Sequence, residues 1–345
     1  MPKLTKQVVQ TWLETVEAGK AFHYKAVLDG LVDAEAWPSL RNIISDLRAA
    51  NILAAAPNKD AGWYYKVEQI DEISNVMGGG QDYLDITYPA SHEEEDPSGF
   101  PFADMLAVSP GDLLVFAGGS NSGKTALILN MLADNLNKDK DMLLMGNEYV
   151  TADKTVTPRF RRRFQAIDWS PILDDEGNLL FRLKPVKGHF ENYIRKDAFN
   201  LIDWIMMPTN FWEIQVIHDG IKEHIGQGVA IVNMQKDPNK DYGDGGTFSE
   251  RLADFYFKLD SFGTNESIIK VGKTKETKLG AGAVTGRTWA FEIMKPFGVR
   301  LRNIREVVLC NVCFGKKWKK VGVNSVPCDA CNRMGYVDKK VAEPY

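Results

Sequence analysis

The stretch Gly118-Gly119-Ser120-Asn121-Ser122-Gly123-Lys124-Thr125 decides the fold of the largest part of this chain. Its spacing is that of a phosphate-binding loop, GxxxxGK[ST], in which glycines let the backbone wrap closely around phosphate oxygens. The apolar run 112–117 before it predicts a buried strand, and residues 126–133 after it have the apolar spacing of a helix. In this context we expect Lys124 to reach the β- and γ-phosphates of a nucleotide and the hydroxyl of Thr125 to hold Mg²⁺.

Three later apolar runs also lead to polar residues, as the strands of a nucleotide-binding sheet do. The runs are residues 141–146, 200–207 and 228–234, and the polar residues are Glu148, Asp203 and Gln235, in the same order. The runs alternate with helical stretches, which predicts an α/β fold with a mostly parallel sheet flanked by helices. Ligands of such sheets bind at the carboxyl ends of the strands, so these polar residues are expected near the phosphate loop. Taken singly, each acid is also typical of a solvated loop.

Between about Pro97 and Phe297 the chain resembles the RecA-like ATPases, and within them the DnaB-type replicative helicases. The segments that carry the resemblance, besides the phosphate loop, are Ser98-Gly99-Phe100, 109–113, Asn147-Glu148, 201–207, Asn233-Met234-Gln235, 252–256 and 268–275. The resemblance implies a RecA-like fold with ATP as substrate and Mg²⁺ as cofactor. It further implies that Glu148 activates the attacking water, that Asp203 supports Mg²⁺ and that Gln235 senses the terminal phosphate.

The same resemblance makes Lys273 and Lys275 the basic pair that acts on the ATP of a neighbouring subunit, which implies a homo-oligomer. The family usually ends this pair with arginine, and here both residues are lysine. Lysine is a point charge without the bidentate fork of arginine, so Arg287 is an alternative for the role. The two lysines are also typical of a solvated strand edge.

Two polar loops and one basic cluster are candidates for contact with DNA. The loop 236–246 corresponds to the loop that faces DNA in RecA-like rings and filaments, but it carries two lysines against three aspartates. The loop 277–283 is the second candidate. The basic cluster, Arg159 with residues 161–163, is typical either of a solvated face or of a nucleic-acid surface.

Residues 1–88 are predicted to form a domain similar to a winged helix-turn-helix. Helices are predicted over 7–18 and 24–28, and the i, i+3, i+4, i+7 spacing of apolar residues from Leu40 to Leu47 predicts a third. The aromatic run 63–67 then predicts a strand. In that family the third helix enters the major groove of DNA. Since residues 1–92 hold eight basic residues against twelve acidic ones, docking of a protein is the alternative.

Residues 89–99 are rich in glutamate and contain Pro97, so we predict an acidic linker before the ATPase domain, 100–305. Residues 306–345 are predicted to form a zinc-ribbon-like module. Its two CxxC pairs are Cys310 with Cys313 and Cys328 with Cys331. Four thiolates at this spacing are the ligands of a structural Zn²⁺ site, and redox or free thiols are the alternative.

These observations predict a DNA-acting motor: a DnaB-like replicative helicase of phage or mobile-element type that hydrolyses ATP at subunit interfaces. Its partners would be single-stranded DNA, further copies of the chain in a hexameric ring or filament, and replication proteins. The alternatives are a RecA-like recombinase or annealing ATPase, and a regulatory ATPase whose accessory modules dock proteins. The chain has no run of about 18 apolar residues and no hydrophobic signal region, so we expect no membrane and a cytoplasmic location, that of the host if phage-encoded.

Overall fold

The computed structural model of the chain describes residues 4–27, 37–68, 83–138, 141–151, 153, 155–205, 210, 213–237, 240–322 and 324–339. The chain forms two compact units, Met1–Gly79 and Gly80–Tyr345. Predicted features at Leu28, at 206–207 and at 238–239 lie outside the described residues. None of the helices among the described residues is both long and apolar enough to cross a bilayer.

The first unit combines two helices with a small antiparallel sheet in its described part. The elements are α1 (Lys6–Glu14), β1 (Ala21–His23), a 3₁₀ turn (Tyr24–Val27), α2 (Trp37–Ala49), β2 (Leu53–Ala55) and β3 (Trp63–Lys66). Strand β3 lies between β1 and β2. The spacing of Leu40, Ile44 and Leu47 places all three in the buried core, whereas the second predicted helix is only a 3₁₀ turn. The winged-helix interpretation of this unit stays a prediction.

The second unit contains the phosphate loop. Its helices are α3 (Phe102–Met105), α4 (Lys124–Asn135), α5 (Pro158–Gln165), α6 (Glu213–His224) and α7 (Phe248–Arg251). Its strands are β4 (Leu113–Gly118), β5 (Met142–Met145), β6 (Arg182–Lys184), β7 (Phe199–Ile205), β8 (Val229–Gln235), β9 (Phe255–Phe262), β10 (Glu266–Thr274), β11 (Thr288–Ile293), β12 (Leu301–Leu309), β13 (Trp318–Val321), β14 (Asn324–Pro327) and β15 (Tyr336–Asp338).

Ten of these strands, counted over the described residues, form one sheet in the order β15-β12-β11-β10-β9-β4-β8-β7-β5-β6. From β9 to β6 all neighbours are parallel, and β10, β11, β12 and β15 extend the sheet with antiparallel pairs. The predicted α/β fold class, a mostly parallel sheet flanked by helices, is therefore confirmed. The antiparallel extension was not predicted.

Strand β4 lies near the centre of the ten-stranded sheet, between β8 and β9. Leu114 and Phe116 belong to the core that includes α4, whereas Leu113, Val115 and Ala117 belong to the core that includes α6. Both faces of β4 are buried, which is why its sequence is a continuous apolar run rather than an alternating one. This central position fixes where the phosphate loop leaves the sheet.

The segment 83–88 belongs to the second unit, although the sequence placed the domain boundary after residue 88. Leu84, Ile86 and Tyr88 are buried in the same core as α4. The side chain of Asn135, at the end of α4, accepts from the Thr87 N–H and donates to the Thr87 carbonyl, both at 2.8 Å. A buried amide that pairs with a backbone unit in this way fastens the segment to the helix.

The segment predicted as an acidic linker, 89–99, makes specific contacts within the second unit. Ala90 pairs with Gly99 in an isolated β-bridge. Glu93 forms an ion pair with Arg302 at 2.7 Å, and Asp96 accepts from the Asn303 N–H at 2.8 Å. These carboxylates therefore contact β12 rather than standing only in solvent.

The cysteine-containing residues are joined to the main sheet. Strand β12 crosses the predicted module boundary at 305/306, and β15 pairs with it in register Val307 to Asp338 and Leu309 to Tyr336. Strands β13 and β14 form a separate antiparallel hairpin between the two CxxC pairs. The module is thus a hairpin and two cysteine turns built onto the edge of the sheet.

Candidate nucleotide site and cysteine centre

The phosphate loop turns tightly between the end of β4 and the start of α4. Gly123 has a φ of 94°, a left-handed conformation that favours glycine. A Cβ on Gly118 would lie 2.4 Å from the Oγ of Ser122, and one on Gly123 would lie 2.8 Å from the Cδ1 of Ile293. The glycines are therefore required by the fold of the loop, and its N–H groups and the first turn of α4 suit phosphate oxygens.

Lys124 lies at the base of this loop and is only 8% exposed. Its Nζ donates to the carbonyl oxygens of Gly118 and Gly119, both at 2.7 Å, and to the Oε1 of Gln235 at 3.3 Å. Burial lowers the pKa of Lys124 to about 8, against the attraction of Asp203. In the described part of the chain, no carboxylate forms an ion pair with this ammonium group. The ammonium group of Lys124 is therefore surrounded by neutral oxygen atoms rather than paired with a carboxylate.

Asp203, in β7, is the buried acid beside the loop and is 3% exposed. Asn233 donates to its Oδ1 at 2.7 Å and Tyr149 donates to its Oδ2 at 3.0 Å, and Thr125 lies close enough to influence its pKa. Burial raises the pKa of Asp203, and these hydrogen bonds oppose the rise. The carboxylate and the Thr125 hydroxyl are neighbouring oxygen ligands of the kind that Mg²⁺ prefers.

Asn233 and Tyr149 were not among the site residues predicted from the sequence. Asn233 stands two residues before Gln235 in β8, so the two side chains point to the same face of the strand. That period of two was the signal available. Tyr149 directly follows Glu148 and is fully buried, with its ring 4.0 Å from that of Phe160. Its role depends on tertiary packing that no local pattern indicates.

Glu148 follows β5, where the chain approaches β7 closely. A Cβ on Gly146 would lie 2.2 Å from the carbonyl oxygen of Asp203, so only glycine fits between the two strand ends. Glu148 itself is exposed, and its backbone carbonyl accepts from the Thr157 hydroxyl at 3.2 Å. On the other side of the loop, Gln235 donates to the Oγ of Ser120 at 3.2 Å. The two polar residues thus lie at the ends of strands on either side of β7.

One cleft of about 670 Å³ joins these groups. Its wall includes the loop from Ser120 to Thr125, Glu148 and Gln235, and the buried Asp203 lies close enough to Lys124 to influence its pKa. The structure therefore brings together the residues predicted for phosphate, metal, water and phosphate sensing. Arg159, Arg163 and Trp204 also line the cleft and were not among the predicted site residues.

The two predicted trans-acting lysines lie at the opposite edge of the sheet. Lys273 donates to the backbone carbonyls of Glu250 and Arg251, both at 3.0 Å. Lys275 forms ion pairs with Asp254 at 2.8 Å and Asp112 at 3.7 Å. Neither lines the cleft of its own chain. Their action on a neighbouring subunit stays a prediction.

Arg287, the alternative to these lysines, is engaged within the chain. Its guanidinium forms two hydrogen bonds with the carboxylate of Glu306, both at 2.7 Å, and lies 5.1 Å over the ring of Trp289. This fork raises the pKa of Arg287 through its hydrogen bonds with Glu306. The arrangement fastens β11 to β12, which is a structural use of the arginine.

The four cysteines converge on one point. All four Sγ atoms lie within 4.8 Å of one another, with Cys310 3.8 Å from Cys328 and Cys313 3.6 Å from Cys331. A tetrahedral site with Zn–S bonds of about 2.3 Å has sulfur atoms about 3.8 Å apart, so the thiols fit Zn²⁺. Disulfides would need sulfur atoms about 2.05 Å apart. The geometry favours a metal over paired disulfides.

In the first candidate DNA loop, 236–246, both lysines are engaged within the chain. Less positive charge is therefore available for DNA than the sequence indicates. Lys236 is 2% exposed, forms an ion pair with Asp260 and donates to the Lys240 carbonyl at 3.0 Å. Lys240 forms an exposed ion pair with Asp237 at 2.6 Å. In the second loop, Leu279 is fully exposed. Neither loop presents a dense patch of unpaired cations among its described residues.

No family model matches the chain, and no curated protein matches it. Among solved structures, a RadB recombinase is 15% identical with a TM-score of 0.39, covering 57% of this chain and 92% of its own. The flagellar accessory protein FlaH from Methanocaldococcus jannaschii is 14% identical with a TM-score of 0.38, over 57% and 92%. A DnaB-like replicative helicase, solved with regard to its interactions with primase, is 15% identical with a TM-score of 0.39, over 56% and 58%. The chain is similar to these three structures over somewhat more than half of its length.

Proposed function

We propose that this chain is an ATP-hydrolysing motor that acts on DNA, of the DnaB-like replicative helicase type. The observation that carries the proposal is the single cleft in which Lys124, Thr125, Glu148 and Gln235 meet beside the buried Asp203. Positioning and charge stabilisation are what phosphoryl transfer requires of a protein. Each of these residues supplies one part of that requirement.

In the proposed reaction, the loop amides and Lys124 hold the terminal phosphates of ATP. The Glu148 carboxylate orients a water and accepts its proton as the water oxygen bonds to the terminal phosphorus. The bond between that phosphorus and the oxygen of the leaving ADP breaks, which yields ADP and phosphate. Gln235 donates to the terminal phosphate. The presence or absence of this phosphate is thereby transmitted to β8. Thr125 and Asp203 would hold Mg²⁺, which supplies neutralisation of the phosphate charge when it is bound.

Assembly into a homo-oligomer is part of the proposal. Lys273 and Lys275 lie at the sheet edge opposite the cleft, so they can act on ATP only if it belongs to another subunit. DNA contact is proposed for the cysteine module, where residues 310–339 hold six basic residues against two acidic ones in a chain of net charge −4. Phe314 is 72% exposed and Trp318 51% exposed in the same module, which suits stacking on bases.

The test is ATP hydrolysis and strand separation by the full chain. We expect a steady-state ATPase with Mg²⁺ that single-stranded DNA stimulates, together with unwinding of a forked duplex. Lys124→Ala should lower kcat by about 100-fold or more, whereas Lys138→Ala, beyond the end of α4, should not. Absence of DNA stimulation and of unwinding would refute the motor. Electron microscopy separates the alternatives, because closed rings fit a helicase and open filaments on DNA fit a recombinase.

A further inference from the structure

Helix α5 carries four arginines and is packed onto the unit by its aromatic residues. Thr157 caps the helix by accepting from the Phe160 N–H at 3.4 Å, and Pro158 occupies its first turn. Phe160 and Phe164 are buried on the inner face. The ring of Phe160 packs edge-on against Tyr149, the residue that donates to Asp203. This packing sets the rotation of the helix relative to the cleft.

With that rotation, two of the four arginines face the cleft and two face away. Arg159 and Arg163, four residues apart, line the cleft together with Lys124, Thr125 and Glu148. Arg161 and Arg162 are exposed and are not part of its wall. The division follows helical geometry, in which residues i and i+4 share a face.

Arg163 is half-buried, with its guanidinium 5.3 Å over the ring of Phe160. Burial lowers the pKa of Arg163, partly offset by the attraction of Asp203. Within the described ranges, neither Arg163 nor Arg159 forms an ion pair with a carboxylate. Other half-buried arginines do: Arg302 pairs with Glu292 at 2.9 Å, as Arg287 pairs with Glu306. A desolvated guanidinium that faces a phosphate site without a counter-ion is suited to an anionic ligand.

We propose that Arg163 is a catalytic residue that contacts the terminal phosphate of ATP in its own chain, with Arg159 as a second cation beside it. The inference rests on the proposed ATP hydrolysis. As the water oxygen bonds to phosphorus and the bond to the ADP oxygen breaks, negative charge spreads over the transferred group. Arg163 donates hydrogen bonds to those oxygens and keeps its own proton throughout, while Glu148 accepts the proton of water.

This assignment provides an arginine for the role in which the predicted basic pair offers only lysines. Lys275 is held by Asp254 and Asp112, and Lys273 by two carbonyls. Arg287 is held by Glu306. Arg163 provides the bidentate fork from within the same subunit, so hydrolysis need not depend on a lysine from a neighbour.

The first experiment measures basal ATPase of the full chain, without DNA, for Arg163→Gln and the matched control Arg161→Gln. We expect Arg163→Gln to lower kcat by about 100-fold or more and to change the Kd of a non-hydrolysable ATP analogue by less than about tenfold. Arg161→Gln should keep the wild-type kcat. Arg163→Lys should recover only part of the rate, because lysine lacks the fork.

A wild-type rate for Arg163→Gln would overturn the inference and leave the proposed ATPase intact. A wild-type chain that does not hydrolyse ATP would instead remove the proposed function and this inference with it. Circular dichroism checks that Arg163→Gln is folded. Should it not fold, Arg163→Lys decides, since it keeps the stem and the charge, and a wild-type kcat there would overturn the role of the fork.

The second experiment tests whether the arginine acts within its own subunit. Lys124→Ala and Arg163→Gln chains are mixed under conditions that let subunits exchange. If Arg163 served a neighbouring site, Arg163→Gln chains would recover activity beside Lys124→Ala chains, which retain the arginine. We expect the mixture to be no more active than the sum of its parts, and recovery would overturn action in the same chain.

Discussion

The parallel strands begin at what we call the amino edge of the sheet and end at its carboxyl edge. Buried charges are compensated in different ways at these two edges. At the amino edge, before β4 and β9, Asp112 and Asp254 lie between Lys222 and Lys275, and every charge has a partner in the chain. Burial raises the pKa of Asp112 to about 6, with the Ser109 N–H opposing the rise. Burial would also raise the pKa of Asp254, but its hydrogen bonds with the two lysines outweigh that effect and lower it.

At the carboxyl edge, Lys124 and Arg163, which line the cleft, have no such partners among the described residues. Lys124 donates to neutral oxygens, and Arg163 faces the cleft without an ion pair. A buried charge is costly unless something compensates it. The difference teaches that the amino edge is complete by itself, whereas the carboxyl edge is built for an anionic partner from outside the chain. The four convergent thiols are likewise suited to a partner from outside the chain, in their case a metal cation.

The largest expected effect is at the cysteine centre. Cys310→Ser should abolish stoichiometric Zn²⁺ binding, which is worth about 10 kcal/mol or more in small zinc modules, and should make residues 310–339 sensitive to protease. Plasma mass spectrometry and limited proteolysis measure the two outcomes. Lys320→Ala, in the β13–β14 hairpin, is the control and should keep its metal. A Cys310→Ser chain with one bound zinc would show that the thiols are not a set of four.

At the amino edge, removing a single charge should destabilise the fold. Asp254→Ala leaves Lys222 without its carboxylate and the buried Leu113 N–H without its acceptor at 2.8 Å. We expect the free energy of unfolding in urea to fall by about 3 kcal/mol. Asp237→Ala removes the exposed pair with Lys240 and should cost less than about 1 kcal/mol. Equal losses for the two variants would remove the contrast between buried and exposed pairs.

A smaller effect should come from a buried imidazole whose two nitrogens have no hydrogen-bond partner among the described residues. His218, in α6, is fully buried, and burial together with Lys222 lowers its pKa to about 3. The folded state therefore keeps it neutral while the unfolded chain binds a proton below about pH 6.5, so stability should fall as the pH drops from 6.5 towards 3. By pH 5 the loss should be about 2 kcal/mol.

Urea unfolding of the wild type and of His218→Leu at pH 7.5 and pH 5.0 measures this loss. The variant should lose less stability between the two pH values than the wild type does. An equal loss in both proteins would mean that the acid sensitivity arises elsewhere. The measurement compares a buried group that stays neutral in the folded state, His218, with buried charges that are compensated by ion pairs, as at the amino edge.

The parts of the fold and site that follow local rules could be predicted from the sequence. The phosphate loop was recognisable because its glycines and Lys124 have fixed spacing, and the doubly buried β4 because it is continuously apolar. The polar residues at the strand ends, Glu148 and Gln235, line the same cleft as the loop, because parallel strands end at a common edge.

What could not be predicted depends on packing between distant segments. Arg159 and Arg163 were grouped with Arg161 as one basic cluster, although their spacing of four beside Phe160 and Phe164 indicated a shared face. Which face meets the cleft is decided by the contact of Phe160 with Tyr149, which no local pattern contains. The segment 89–99 was expected to be solvated because it is acidic, but Arg302 supplies a partner more than 200 residues away.

The pairing of β15 with β12 has a mechanical consequence. A zinc-binding element joined by a flexible linker would sample a large volume and could meet its target anywhere within reach of the linker. Here the turns that hold the cysteines are anchored on both sides by strands of the ten-stranded sheet. Any tilt of that sheet during a nucleotide cycle would therefore move the lysines and exposed aromatic residues of the module along a fixed path, as a rigid extension of the sheet.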